Sequence, residues 1–163
     1  MKYKKNLPID NKNISEDEYI YLIQSQPEII RYIENPTEKM KLYAVLNDPE
    51  VLQYIKNQTE EICCVAVSQD GLTLRYVNDQ SEEICLTAIR QNPSAIKYVK
   101  KLTRTMAEEA IYINPFTIAY IKNPTNALCI KAVRENPYAY MFIENPDKEV
   151  TEIYNDLKDK YYK

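Results

Sequence analysis

The side chains of this chain best suited to chemistry recur at a fixed interval. Tyr32, Tyr54, Tyr76, Tyr98, Tyr120 and Phe142 stand 22 residues apart. One aromatic ring per interval is how helical-repeat readers of single-stranded RNA stack successive bases, and it is equally the pattern of a packing ladder between repeats. A looser basic column runs beside the rings: Arg31, Lys56, Arg75, Lys97, Lys100 and Lys122, joined by Lys101 and Arg104. Such a column suits an acidic partner or a phosphate backbone. Acidic residues such as Glu38, Glu60, Glu61, Glu82 and Glu83 partly balance it, and there helix-dipole complementarity is the plainer account. A third set breaks the period. Tyr112, Phe116, Tyr138 and Met141 stand where earlier intervals carry residues such as Ser68, Glu50, Ser94 and Lys97. Apolar residues at outward positions are what a partner surface requires.

Catalysis finds little support in the residue types. The chain has no histidine, no glycine-rich phosphate loop, and so no Cys-His or Ser-His pair. Acidic neighbours such as Glu60-Glu61 and Glu108-Glu109 diverge by about 100° on a helix and do not converge on a substrate. Of the four cysteines, Cys63, Cys85 and Cys129 share one repeat position, which Ala107 fills in another copy. Equivalent residues of adjacent helical repeats lie roughly 8 to 10 Å apart, whereas a disulfide needs Cα atoms within about 7 Å. Without a Cys-x-x-Cys pair the cysteines are expected as buried, reduced thiols, with no catalytic residue, metal or cofactor.

The elements that position these residues follow from the same interval. A hydroxyl or carboxylate recurs at Ser15, Thr37, Thr59, Ser81, Thr103, Thr125 and Asp147, with no residue gained or lost between copies. In the unit from Ser81 to Leu102, Ser81 is a helix N-cap with Glu82 and Glu83 in the first turn. Ile84, Cys85, Ala88 and Ile89 then form one stripe of a 3.6-residue helix. The central alanine repeats at Ala44, Ala66, Ala88, Ala110 and Ala132 and permits close approach of a neighbouring axis.

Asn92-Pro93, like Asp48-Pro49, Asn114-Pro115 and Asn136-Pro137, starts a second helix, since Asn or Asp caps and proline suits the first helical position. Its stripe runs through Ala95, Ile96 and Val99. Its expected end is the left-handed C′ position at Asn35, Asn57, Asp79, Asn123 or Asn145, after which Pro36, Pro124 and Pro146 block continuation. Neither helix reaches the roughly 12 to 15 residues that are marginal in water, so stacking must supply the burial.

The expected fold is therefore all-α, a short α-solenoid of six to seven 22-residue helix-turn-helix repeats about 60 Å long, its handedness left open. One domain spans residues 1–163: a polar segment 1–14, repeats over 15–146 and a capping helix over 147–163. The ends depart from the pattern as caps should. Glu18 replaces a stripe residue at one end, and Thr151 and Asn155 do so at the other.

The segment Asn92 to Val99, together with helix starts of the type Thr59 to Cys63, resembles the short helical-pair repeats of unknown function found in bacterial, phage and large DNA virus proteins. The resemblance spans Ser15 to about Leu157 and implies fold, no reaction and no catalytic residue. The corner Lys101-Leu102-Thr103-Arg104 departs from it, losing Asn, Pro or Gln, and Glu together.

With 45% apolar and 28% charged residues, a net charge of -3 and a pI near 5.2, the composition is that of a globular chain and disfavours a dedicated nucleic-acid binder. The basic start lacks an apolar run behind it and no stretch approaches the ~20 residues that span a bilayer, so a cytoplasmic protein without membrane contact is expected. The leading expectation is a non-enzymatic protein-interaction module. Its candidate contacts are Tyr112, Phe116, Tyr138, Met141, Lys97, Lys100, Lys101 and Arg104. The alternatives are self-association through the C-terminal half and single-stranded nucleic-acid binding along the tyrosine and lysine columns. A phage or mobile-element inhibitor of a host defence protein, acting in the host cytoplasm, is a further alternative resting on the resemblance.

Overall fold

The structure, a computed structural model, describes residues 14–161. The polar N-terminal segment of the sequence reading thus lies, but for its last residue, outside the described residues. Six ten-residue α-helices follow one another as α1 (Glu16–Ser25), α2 (Glu38–Asn47), α3 (Glu60–Gln69), α4 (Glu82–Gln91), α5 (Arg104–Ile113) and α6 (Asn126–Glu135), and a longer α7 (Lys148–Tyr161) closes the array. The fold is a short, all-helical α-solenoid built from repeats of about 22 residues, without strands among the described residues.

The second element of each repeat is a six-residue 3-10 helix rather than an α-helix: Pro27–Tyr32, Pro49–Tyr54, Gly71–Tyr76, Pro93–Tyr98, Pro115–Tyr120 and Pro137–Phe142. Length explains the difference. Six residues span about 12 Å as a 3-10 helix but only about 9 Å as an α-helix, and the ten-residue partner spans about 15 Å. The tighter winding thus brings the chain nearer its starting level. An Asx turn sets it off, as Asn92 Oδ1 accepts from Ser94 N at 3.0 Å and Asp48 Oδ1 from Glu50 N at 2.9 Å.

The expected end is also corrected. Each 3-10 helix stops at its aromatic residue, and the next residue, Ile55, Val77 or Ile143 for example, is extended and buried. Among the described residues only Asn123 and Asn145 adopt positive φ, both near 50°. The asparagines stand in the turn beyond the helix, so most of them need no left-handed backbone.

Alanine sets the spacing of the stack. Ala44, Ala66, Ala88, Ala110 and Ala132 have no accessible surface, and around them Val45, Leu52, Val67, Leu74, Ile89 and Ile111 fill one continuous core. The approach is tight at Gly71, where a Cβ would lie 2.3 Å from the carbonyl oxygen of Ala88. Gly71 N also donates to Gln91 Oε1 at 2.6 Å, a bond that the proline of the other repeats lacks the hydrogen to make.

Polar side chains tie most repeats to the next. Gln58 Nε2 donates to the carbonyls of Leu52 and Tyr76, at 3.3 and 2.9 Å, while its Oε1 accepts from Asn78 N at 2.9 Å. Gln80 repeats the clasp on Leu74, Tyr98 and Lys100 at 3.1, 3.0 and 2.8 Å. The capping hydroxyls add a second ladder, in which Thr37, Thr59, Ser81 and Thr103 each donate to the first-turn glutamate of the preceding repeat. Beside their dipole role, these glutamates therefore join repeats.

Both ties stop at the corner 101–104. Leu102 occupies the clasp position without an amide and stands exposed, and Arg104 replaces the accepting glutamate and pairs with Glu108 instead, at 2.6 Å. The ends are built differently again. Glu18 completes a capping box with Ser15, its carboxylate accepting from Ser15 N at 2.8 Å and held below the usual carboxylate range by that bond. At the far end Tyr154 of α7 stacks on Tyr140 at 4.2 Å and 6°, and Thr151 Oγ1 donates to Asp147 O at 2.8 Å.

Replacing Gln80 by alanine leaves two carbonyls and the Lys100 amide without their shared partner and is expected to cost about 1–3 kcal/mol. Leu102→Gln is expected to raise stability by supplying the missing clasp toward Tyr120 and Lys122. Urea unfolding checks both, and a neutral Gln80→Ala would remove the clasp from the account of stacking.

Candidate functional site

The aromatic column forms where the 3-10 helices end, and cations of the chain itself occupy three of its five intervals, with Gln53 and Ala119 at the other two. The guanidinium of Arg31 lies 5.2 Å from the ring centre of Tyr32 and 4.5 Å from that of Tyr54 in the next repeat. Arg75 sits 4.7 Å from the Tyr76 ring and hydrogen-bonds Tyr98, and Lys97 lies 4.9 Å from Tyr98 and 5.7 Å from Tyr120. Cations this close to a ring are attracted by its quadrupole. The hydrogen bond from Arg75, with Lys97 adding to it, holds the Tyr98 phenol below its ordinary range. Hydrogen bonds to Tyr76 and Tyr98, with Glu50 opposite, push Arg75 further up.

Glu50 anchors this polar stretch. Its carboxylate accepts from Arg75 Nη2 at 2.6 Å and from the Tyr76 hydroxyl at 2.9 Å.

Three repeats later the same positions are Phe116 and Phe142, and their rings meet edge to face at 5.5 Å and 65°. The hydroxyl disappears from the column where its carboxylate partner becomes a ring. Phe116 and Phe142 are accompanied by exposed Tyr120, Tyr138 and Met141, the last 76% exposed. The 3-10 edge of the solenoid thus turns from salt-bridged to aromatic toward its C-terminal end. Large apolar side chains held half out of a packed scaffold are suited to burial against another surface.

The eight residues expected at the site fall into separate places. Phe116, Tyr138 and Met141 lie on 3-10 helices of the last two such units, whereas Tyr112 projects from the last turn of α5 toward α6, with Lys131 Nζ 5.8 Å from its ring. Lys97 belongs to the ring ladder. Lys100 is a strut, its ammonium donating to the carbonyls of Val77 and Asn78 at 2.9 and 2.6 Å. Lys100 and Lys101 line, with Lys56, a groove of about 840 Å³ along the turns around Gln58 and Gln80. Arg104 is held by Glu108 on α5.

The structure also brings forward Phe142 and Ala119, which the sequence reading did not place at the site. A column comparison of Arg31, Arg75 and Lys97 with Ala119 carried the signal.

The cysteines occupy the packing position expected of them. Cys63, Cys85 and Cys129 are buried and unpaired, and Cys64 is half-buried. Cys63 Sγ approaches Gln58 Oε1 at 3.6 Å, and Cys85 approaches Gln80 at 3.8 Å. In the repeat where leucine replaces the glutamine, alanine replaces the thiol. Lys41 holds the same position one repeat earlier, 6% exposed, its ammonium spent on Glu38 at 2.6 Å and the Asn57 carbonyl at 3.0 Å. Burial pushes the Cys63 thiol up from 9.0 to about 11, with Cys64 and nearby acids adding to it.

A folded-state pKa above the unfolded one contributes stability that is whole below pH 9 and is lost as pH rises toward about 11. Urea unfolding at pH 8 and pH 10.5 is therefore expected to show a smaller alkaline loss for Cys63→Ala than for the parent, and equal losses would contradict the buried-thiol account. Compared with models of known protein families, with curated proteins and with solved structures, the chain matches none.

Proposed function

We propose that the chain is a non-enzymatic interaction module that offers the C-terminal part of its 3-10 edge to a protein partner. One observation carries the reading: the Glu50–Tyr76 contact of the N-terminal half recurs as Phe116–Phe142, two rings in place of a salt-bridged pair, on the same edge as exposed Tyr120, Tyr138 and Met141. Aromatic residues and methionine are enriched in the centres of protein interfaces, where charged residues are depleted. The exchange lies outside the core, because Phe116 and Phe142 are exposed and take no part in the continuous buried cluster.

The nucleic-acid alternative draws less from the geometry. Bases need open ring faces, whereas Arg31 and Lys97 each lie within cation–π distance of two rings of that column. Of the arginines expected to meet phosphates, Arg75 and Arg104 are in salt bridges.

In affinity capture from cells that express the protein, Phe116→Ser/Tyr138→Ser is expected to lose a partner at least tenfold. Tyr21→Ser on exposed α1 is expected to keep it. Retention by both variants would sink this surface. Conversion of a dimer of the parent to a monomer by the double variant, seen by sedimentation, would identify the partner as a second copy.

A further inference from the structure

The ring ladder follows a rule that the chain keeps for most of its length and then abandons. Where the residue just before an aromatic is a cation, it reaches both that ring and the tyrosine of the following repeat. Arg31 fills the place between Tyr32 and Tyr54, Arg75 that between Tyr76 and Tyr98, and Lys97 that between Tyr98 and Tyr120. Gln53, the residue before Tyr54, is neutral, and its amide donates to the Glu50 carbonyl of its own 3-10 helix at 2.9 Å. Between Tyr120 and Phe142 the residue is Ala119, which ends at Cβ and is exposed. The slot is the same by repeat symmetry, and no side chain of that position reaches into it.

That slot opens on a groove of about 850 Å³ along the last two 3-10 helices, to which Tyr120, Phe142 and Met141 contribute. Its charge differs from the groove two repeats earlier. Glu144 stands at the position held by Lys56, Lys100 and Lys122 in other repeats, and Asp147 lies beside it, against Lys122 as the one basic side chain lining the groove. A slot walled by two rings, one of which already meets Lys97 on its other side, is chemically matched to a cation. Glu144 in the same groove adds attraction for positive charge, whereas the Asp147 carboxylate already accepts from Val150 N and Asn126 Nδ2.

We propose that the space between Tyr120 and Phe142 receives an arginine side chain of the protein partner, which completes the cation–ring ladder where this chain leaves it open. Arginine fits better than lysine because its planar guanidinium stacks between rings while its edges remain free to donate toward Glu144. Arg31 shows that stacking within the same ladder, 4.5 Å from one ring and 5.2 Å from the other. The proposal rests on the reading of this edge as a partner surface and narrows it: the partner presents a basic anchor flanked by apolar residues that cover Phe116 and Met141.

The test uses the full chain with ¹³C-methyl alanine and labelled aromatic residues, titrated with N-acetylarginine methylamide. Its neutral isostere, N-acetylcitrulline methylamide, is titrated in parallel. Saturable shifts at Ala119, Tyr120 and Phe142 are expected for the arginine probe, with the citrulline probe at least tenfold weaker. Ala119→Arg, which places a side chain where Arg31 and Lys97 have theirs, is expected to abolish the response, and Ala119→Gln, copying Gln53, to reduce it. No shift at these residues, an equal response at Tyr32 and Tyr54 where Arg31 already fills the slot, or an equal response to citrulline overturns the proposal. Capture separates it from the reading beneath it. A partner lost by Phe116→Ser/Tyr138→Ser but bound undiminished by Ala119→Arg overturns the slot and leaves the surface standing. Saturation of the slot by the arginine probe, with no partner sensitive to Phe116 and Tyr138, overturns the surface and leaves the slot.

Discussion

The contact between one repeat and the next is the interaction on which everything else in this protein depends. A ten-residue α-helix and a six-residue 3-10 helix are each too short to hold their shape in water. They become stable by burying a stripe against identical stripes on either side. The fully buried alanines Ala44, Ala66, Ala88, Ala110 and Ala132 let the helices approach closely, and a larger side chain there would open the spacing for every residue above it. Gly71 marks the limit of that approach, with backbone already where a Cβ would stand.

Close approach has polar consequences. The turns between helices leave carbonyls and amides that no intrahelical bond satisfies, and those of one repeat come within reach of the side chains of the previous one. Gln58 and Gln80 each satisfy two such groups of the next repeat and brace a carbonyl of the preceding 3-10 helix, and the capping hydroxyls bond glutamates across repeat junctions. The solenoid is thus joined by a dry core on the inside and an amide clasp at its turns. Where Leu102 and Arg104 interrupt both ties, the junction relies on the core, with Lys131 of α6 over the Tyr112 ring of α5 beside it. The aromatic end of the 3-10 edge lies on the C-terminal side of that interruption, so the change in surface and the change in stitching occur together.

The exposed edge records a gradual exchange of one kind of stabilisation for another. In the first half, cations between rings and the Glu50 carboxylate satisfy one another within the chain. In the last repeats Phe116 and Met141 replace charged members and Phe142 replaces a tyrosine, while the backbone beneath them stays the same. A repeat protein can make this change at little structural cost, because edge residues contact only their immediate neighbours and the core is carried by other positions.

Much of this was legible in the chain itself. The gapless interval, the capping hydroxyls, the alanine at the centre of each stripe and the thiol position identify repeats, helix starts and buried faces, because those features report geometry within one repeat. The 3-10 character of the second element was not, since Ala95, Ile96 and Val99 satisfy a short α-helical stripe as well as a 3-10 one, and length alone decided against the α form. The partners of Arg31, Gln58, Glu50 and Phe116 were equally hidden. Each meets groups 18 to 26 residues away in the adjacent repeat. Which of them meet depends on the rise and rotation between repeats, a quantity that sequence period does not contain and that only the packed stack sets. Sequence by itself determined that the chain is a helical array with a changed C-terminal edge. Tertiary structure decided which charges are spent inside the array, which rings face each other, and that Ala119 leaves a place between two of them.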